Sequence, residues 1–286
     1  MEPIWSELNL ERVAGRSAAQ LLVESDIPLP AGREAQNILH AQGQIKNEAV
    51  HCASGRVQAE GTLSLQMLCV DSEQTLFGVR ASTQYAHDIQ ISGVSEGMHA
   101  RVKPQLMDLR CTLRDYRVHM EAVAELNTVA ECEDRMRVLS DVAGLGELQK
   151  QYTEMELGRW RTVGNSVLRM REELPASCAE QLLLADAAAQ VQNVVLEGDG
   201  VFVKGVLFVN ALYVGENKQL VHMTQQIPFE ELVPVQLDTQ TCRNVGVIPT
   251  VQEFTLVIGS MGDCLEMEAC IHLEARCITQ ERLQAL

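Results

Sequence analysis

The plainest pattern along the chain is apolar and polar positions alternating with a period of two. Val118, Met120, Ala122, Ala124 and Leu126 alternate with His119, Glu121, Val123, Glu125 and Asn127. Far downstream, Leu265, Met267, Ala269, Ile271 and Leu273 alternate with Glu266, Glu268, Cys270, His272 and Glu274. Successive strand side chains point to opposite faces, so each segment predicts a strand with one face committed to a core. Val57–Val70 and Val201–Val214 read the same way, with the odd-numbered positions apolar through their centres.

These segments come in pairs. Val57, Gly61, Leu63, Leu68 and Val70 recur as Val201, Gly205, Leu207, Leu212 and Val214, a shift of 205 − 61 = 144 positions, and Leu65 is matched by Val209. The strand from Val118 matches the one from Leu265 at 265 − 118 = 147. Glu7-Leu-Asn-Leu-Glu-Arg12 matches Glu154-Met-Glu-Leu-Gly-Arg159, again 147 apart. A one-residue slip would exchange the two faces, so agreement in parity constrains register as well as order. The chain is one unit written twice, with domains expected at 1–146 and 147–286.

Within each unit the expectation is a strand, a Leu-Pro stop (Leu29-Pro30, Leu174-Pro175), one short helix, then about five strands. The helix candidates are Gly32–Gln42 and Ser177–Ala188, each a few residues after a proline. Leu76–Ile91 and Leu220–Val235 read as strand-rich and broken in the middle. Ser54-Gly55, Asp199-Gly200, Ser92-Gly93 and Gly259–Gly262 mark turns, and Leu139–Gln151, with Gly144 and Gly146, reads as the connection between units. The fold class is therefore all-β with one short helix per unit, as tandem β-sandwiches or partly closed barrels.

Composition narrows the function. Hydrophobic residues make up 46% of the 286 and aromatics only 4%, so the cores rest on aliphatic side chains and methionine. No apolar run approaches the ~18 residues of a membrane span, and the start at Met1 lacks the basic and apolar stretches of a signal peptide. A net charge of −16 disfavours nucleic acid and anionic lipid. The densest basic stretch (Arg159, Arg161, Arg169, Arg171) is interleaved with Glu154, Glu156, Glu172 and Glu173 and reads as a solvated face. Nine cysteines without a C-x-x-C pair point to reduced thiols and a cytoplasmic setting.

Catalytic signatures are missing. No dinucleotide or P-loop glycine pattern occurs, Gly144-Leu-Gly146 lacks the context of one, and there is no Gly-x-Ser-x-Gly elbow. The best metal candidate is Cys264, Cys270, His272 and Cys277, but they lie along one strand and Cys277 falls on its other face. Zinc needs converging ligands, and the matching Val123 and Glu125 of the first unit do not supply that set. His40, His51, His87, His99, His119 and His222 share no spacing, and Glu172-Glu173 and Glu230-Glu231 read as surface carboxylates. Trp5 and Trp160 sit in the opening strands, where packing is their expected use. No catalytic, cofactor or metal residue is expected, and the chain reads as a binding protein rather than an enzyme.

One resemblance covers nearly the whole chain. Asp26-Ile-Pro-Leu-Pro30 leading into Asn37-Ile-Leu39, then Gly55-Arg-Val57 to Glu60-Gly-Thr-Leu63, Ile91-Ser-Gly93 to Gly97-Met98, and the strand Tyr116–Leu126 resemble a SPOCS domain. The second unit carries Glu173-Leu-Pro175, Gly200-Val-Phe-Val-Lys-Gly205-Val-Leu207 and Ile227-Pro-Phe229. The resemblance implies a sporulation protein of Firmicutes: a scaffold that binds protein partners, among them a coat morphogenetic ATPase, on the mother-cell side of the developing spore. It supplies no catalytic residues. Relatives often end in a glycan-binding LysM module, and none follows Leu286 here, so tethering through such a module is not expected. A homo-oligomer and a glycan-binding module are the further expectations to weigh.

Overall fold

The computed structural model describes residues 2–114, 116–144, 151–176, 178–198, 200–235 and 242–285. The chain divides into two compact units, Leu8–Met136 and Arg137–Leu286 together with Met1–Glu7. The first six strands are β1 (Glu2–Pro28), β2 (Asn37–Ala53), β3 (Arg56–Val70), β4 (Leu76–Gln90), β5 (His99–Arg114) and β6 (Arg117–Ala143). The next six are β7 (Thr153–Pro175), β8 (Gln181–Glu197), β9 (Gly200–Val214), β10 (Leu220–Pro234), β11 (Cys242–Ile258) and β12 (Cys264–Ala285). They form four three-stranded sheets, ordered β1-β6-β5 and β2-β3-β4, then β11-β12-β7 and β10-β9-β8.

The two sheets of each set face one another over an apolar core, and none closes into a barrel. The alternation read from the sequence is the core. Val57, Ala59, Leu63, Leu65, Met67 and Cys69 of β3 bury against Val118, Met120, Ala122, Ala124 and Leu126 of β6. Val201, Val203, Leu207, Val209, Ala211 and Tyr213 of β9 do the same with Leu265, Met267, Ala269, Ile271 and Leu273 of β12. Both central strands run in register with two neighbours, so their backbone groups are satisfied within the sheet while every second side chain leaves water.

The predicted helices are strands. Gly32–Gln42 contributes its last six residues to β2, and Ser177–Ala188 enters β8 at Gln181. The reason is a β-bulge near the start of each strand: pairing slips between Ile38 and His40, and between Leu182 and Leu184. An extra residue breaks the period of two, so core-facing Ile38, Ala41 and Ile45 fall at spacings of three and four. That spacing imitates a helix. Among the described residues the helical content is a single 3-10 turn, Glu216–Lys218. Leu76–Ile91 and Leu220–Val235 are not broken either: β4 and β10 run continuously, because Ala81 and Thr83, or Gln225, hold the inward positions with small or polar side chains. Leu139–Ala143 belongs to β6 rather than a connection, and residues 145–150, with Gly146, lie outside the described residues.

Two glycines explain how the edge strands close over the centre. Gly61 pairs with Tyr85 and Gly205 with Phe229, so the aromatic ring of β4 or β10 lies over a residue without a Cβ. A Cβ on Gly61 would collide with the Lys46 carbonyl and come within 2.8 Å of the Tyr85 hydroxyl. One on Gly205 would collide with the Phe229 ring and come within 2.6 Å of the Gln190 carbonyl. A second bulge sits beside each glycine, between Asn47 and Ala49 and between Val191 and Asn193.

Candidate functional site

The two copies differ on the outward faces of the β2-β3-β4 and β8-β9-β10 sheets. Reading across the three strands, the first unit presents His51–Gln58–Asp88, Lys46–Thr62–Gln84 and Gln44–Ser64–Ser82. The second presents Val195–Phe202–Leu232, Gln190–Val206–Pro228 and Ala188–Phe208–Gln226. In these rows the second unit puts apolar side chains at most of the places where the first has polar ones, while the intervening row, Ala49–Glu60–Ala86 against Asn193–Lys204–Glu230, is polar in the second. Val195 and Leu232 remain 39% and 54% exposed, and Phe202 and Phe208 are half-buried. Lys204 lies beside this row, its Nζ 5.3 Å from the Phe202 ring centre and 2.6 Å from Glu230 Oε1. An Asp186–Asn210–Thr224 hydrogen-bond row borders it, with Asn210 Nδ2 donating to Asp186 Oδ1 at 2.8 Å. The result is two apolar patches, one at Val195–Phe202–Leu232 and one at Val206, Pro228 and Phe208, separated by the polar row Asn193–Lys204–Glu230, a composition suited to a binding surface.

All the sheet edges but β4 carry features that hinder pairing. Every proline within a strand lies on an edge strand: Pro3 and Pro28 in β1, Pro104 in β5, Pro175 in β7, Pro228 and Pro234 in β10, Pro249 in β11. Of the proline-free edges, β2 and β8 each carry two bulges, whereas β4 pairs with β3 without interruption and has neither device. Both devices hinder addition of another strand.

A second grouping lies on the outward face of the β1-β6-β5 sheet. His119 Nδ1 is 2.8 Å from Asp26 Oδ1, and its Nε2 is 3.2 Å from Glu121 Oε1. One donor atom each from Glu24, His119 and Glu121 lies within 4.8 Å of the others. The hydrogen bond from His119 holds the Asp26 carboxyl below its ordinary range, with the positive charges of Arg114 and Arg117 acting in the same direction. The sequence reading passed over this set because its residues come from strands almost 100 positions apart. The available signal was two outward pairs, Glu24-x-Asp26 and His119-x-Glu121, on opening and closing strands that proved to be neighbours.

The cysteine–histidine set weighed as the best metal candidate in the sequence is spread along β12. Cys264 and Cys270 lie six residues apart along β12, roughly 20 Å at strand rise. Cys270 approaches Gln252 Oε1 at 3.9 Å, while Cys277 is fully buried in the core. Glu125 lies on the outward side of β6 with Asn127 Nδ2 donating to it at 2.7 Å, and Val123 is half-buried. Cys52, Cys69, Cys111, Cys132, Cys178, Cys264 and Cys270 are free thiols. Burial pushes the Cys69 thiol up to about 11, with nearby Cys111 adding to it, and burial also raises Cys52 and Cys111. Such thiols are poor nucleophiles.

Trp5 is not core: it is 46% exposed, with the Arg137 guanidinium 5.3 Å from its ring. The Trp160 and Arg159 side chains lie outside the described residues. Arg161, Arg169 and Arg171 are exposed as expected, Arg171 pairing with Glu268 at 3.0 Å. Of the remaining histidines, His40, His51, His99 and His222 are exposed and His87 is half-buried. Glu172 and Glu173 are exposed, as is Glu230, while half-buried Glu231 accepts from Ser166 Oγ at 2.7 Å. Among the described residues, no helix is long and apolar enough to cross a membrane.

Fold and surface together define a class: tandem antiparallel β-sandwiches whose distinguishing chemistry is on their outer faces. A family model described as SipL, SPOCS domain matches the chain twice, over residues 34–114 and 178–258. The matched segments run from β2 through β5 and from β8 through β11, and they are displaced by 178 − 34 = 144 positions, the same shift as the repeat. They cover more than half of the sequence, and the chain belongs to the SPOCS-domain family. No curated protein and no solved structure matches it.

Proposed function

We propose that this protein is a non-enzymatic adaptor in the assembly of the spore envelope, holding a protein partner on the outward face of the β8-β9-β10 sheet. The observation that carries the reading is the exchange of polar for apolar residues at register-equivalent rows of the two units, which leaves Val195, Phe202 and Leu232 incompletely covered. Exposing such a row to water is unfavourable by roughly 25 cal/mol per Å² of apolar surface, so a partner that covers it gains that term. Family membership supports a sporulation role, because the family takes its name from such proteins. On this reading the partner is a coat protein, with the coat morphogenetic ATPase the first to test, and the site of action is the mother-cell side of the spore. The proline-bearing and bulged edges favour docking on the face over strand addition.

The test is affinity capture from sporulating cells, together with light scattering, for the parent chain and for the double variant Phe202→Ser, Phe208→Ser. The parent is expected to retain a coat protein or to form a defined oligomer, and the double variant to lose that association while keeping its far-UV signature of strands. A parent that stays monomeric and retains nothing, or a variant that behaves like the parent, rules the face out.

A further inference from the structure

We propose that Glu24, His119 and Glu121 form a binding site for one divalent transition-metal ion of the zinc class on the outer face of the first unit, with Asp26 orienting the imidazole. The donors already meet. Nε2 of His119 is 3.2 Å from Glu121 Oε1, and one oxygen of Glu24 lies within 4.8 Å of a ring nitrogen of His119 and of a carboxylate oxygen of Glu121. Ligands about 2.0–2.1 Å from a tetrahedral zinc stand roughly 3.3 Å apart, so rotamer adjustment of the exposed Glu24 closes the set. Three protein ligands leave a further position for water or for a partner's side chain.

The outer partner of the histidine is also in place. A metal-bound imidazole commonly donates its other N–H to a carboxylate, which fixes the tautomer and strengthens the ligand. Asp26 Oδ1 lies 2.8 Å from Nδ1, which leaves Nε2 facing Glu121.

The second unit provides an internal comparison. At the 147-residue shift, Glu24, Asp26, His119 and Glu121 become Arg171, Glu173, Glu266 and Glu268. There the carboxylate of Glu268 is met by the Arg171 guanidinium at 3.0 Å. In the first unit the residue at the arginine's place is itself a carboxylate, and the one with imidazole chemistry is His119. Arg110, opposite Glu121 in register, pairs instead with Asp108 at 2.9 Å. A divalent ion would supply the positive charge that Arg171 supplies in the other copy. One imidazole with two carboxylates suits zinc or cobalt, whereas magnesium and calcium take oxygen shells of six or more ligands.

Titrating the metal-free full chain with Zn²⁺ against a chromophoric chelator tests this directly. One equivalent is expected to bind, and millimolar Mg²⁺ is not expected to displace it. His119→Gln and Glu24→Gln are each expected to weaken binding at least 10-fold, and Asp26→Asn by about 10–100-fold. Glu266→Gln, the corresponding change in the second unit, is expected to leave it unaltered. Co²⁺ should give a visible ligand-field spectrum that His119→Gln abolishes. If His119→Gln alters the fold by circular dichroism, the exposed Glu24→Gln carries the test. Absence of a one-equivalent step, or Zn²⁺ binding that neither Glu24→Gln nor a folded His119→Gln changes, overturns the site.

Discussion

Tyr85 and Asn47 illustrate how single residues settle the interior of this fold. The Tyr85 hydroxyl is 3.1 Å from the Lys46 carbonyl and 2.5 Å from Asn47 Oδ1, and Asn47 Nδ2 donates across to the Val102 carbonyl on the facing sheet at 2.5 Å. At the 144-residue shift these two side chains become Phe229 and Val191, so the second copy has exchanged both polar partners for apolar ones. A half-satisfied buried network costs more than either complete solution. Tyr85→Phe alone and Asn47→Val alone are therefore expected to destabilise the first unit, and the double variant to recover part of the loss. Denaturant unfolding should give a coupling of about 0.5–3 kcal/mol, and simple additivity would contradict the pairing. Gly205→Ala forces a Cβ into the Phe229 ring and should cost about 1–3 kcal/mol, whereas Gly246→Ala, whose Cβ meets nothing within 4 Å, should not destabilise. Equal effects of the two would remove the close-approach argument.

Ionisation acts at the same scale. Burial, followed by the charge of Glu48, pushes the Tyr85 hydroxyl up to about 12, as burial pushes Cys69 up to about 11. Both groups are neutral in the fold and ionise more readily in the unfolded chain. Their contribution is complete below the unfolded values, about 8.5 for cysteine and 10 for tyrosine, and is lost as pH rises toward the folded ones. Cys69→Val should flatten the fall in unfolding midpoint between about pH 8.5 and 11; an unchanged slope would show that Cys69 is not its source. Glu274 has the opposite sign. Burial opposes its ionisation, but hydrogen bonds from Arg276 and Thr162 outweigh this and hold the carboxyl below its ordinary range. Its contribution is present above about pH 4.3, the unfolded value, and is lost as pH falls through the lower folded one. Glu274→Gln should make acid unfolding less steep.

At the scale of elements, what could be read from the sequence was whatever keeps a strict period of two. β3, β6, β9 and β12 are flanked on both sides, and their inward positions are apolar almost without exception, so alternation revealed strand, face and repeat together. β2 and β8 were expected as helices because each follows a proline by a few residues; their bulges interrupt the period of two that marks a strand, and Ala185, Ala187 and Ala188 carry intrinsic helix preference that the ladder to β9 overrides. β4 and β10 looked broken because edge strands tolerate small, polar and proline residues at places a central strand does not. The candidate sites divided in the same way. The apolar outward row of β9 was visible as Phe202, Val206 and Phe208 within one segment. The Glu24–His119–Glu121 set was not, because it needs the pairing of β1 with β6, which no local pattern encodes.

For the whole molecule, duplication has kept one framework and allowed its surfaces to diverge. The bulges after Ile38 and after Leu182, and the glycines at 61 and 205, recur at the same shift, so the constraints of folding have been retained in both copies. Beside the interior exchange at Tyr85 and Asn47, the outer faces differ: the second unit carries apolar patches around Phe202 and Phe208, and the first a histidine–carboxylate group. Two surfaces of different chemistry on one chain suit an adaptor, whose affinity for an assembly comes from several contacts acting together. The most direct test of that account is light scattering and affinity capture of the parent chain beside the Phe202→Ser, Phe208→Ser double variant. The account predicts an association, with a coat protein or a second copy, that the double variant loses while remaining folded. A parent that is monomeric and captures nothing, or a folded variant that associates as the parent does, would contradict it.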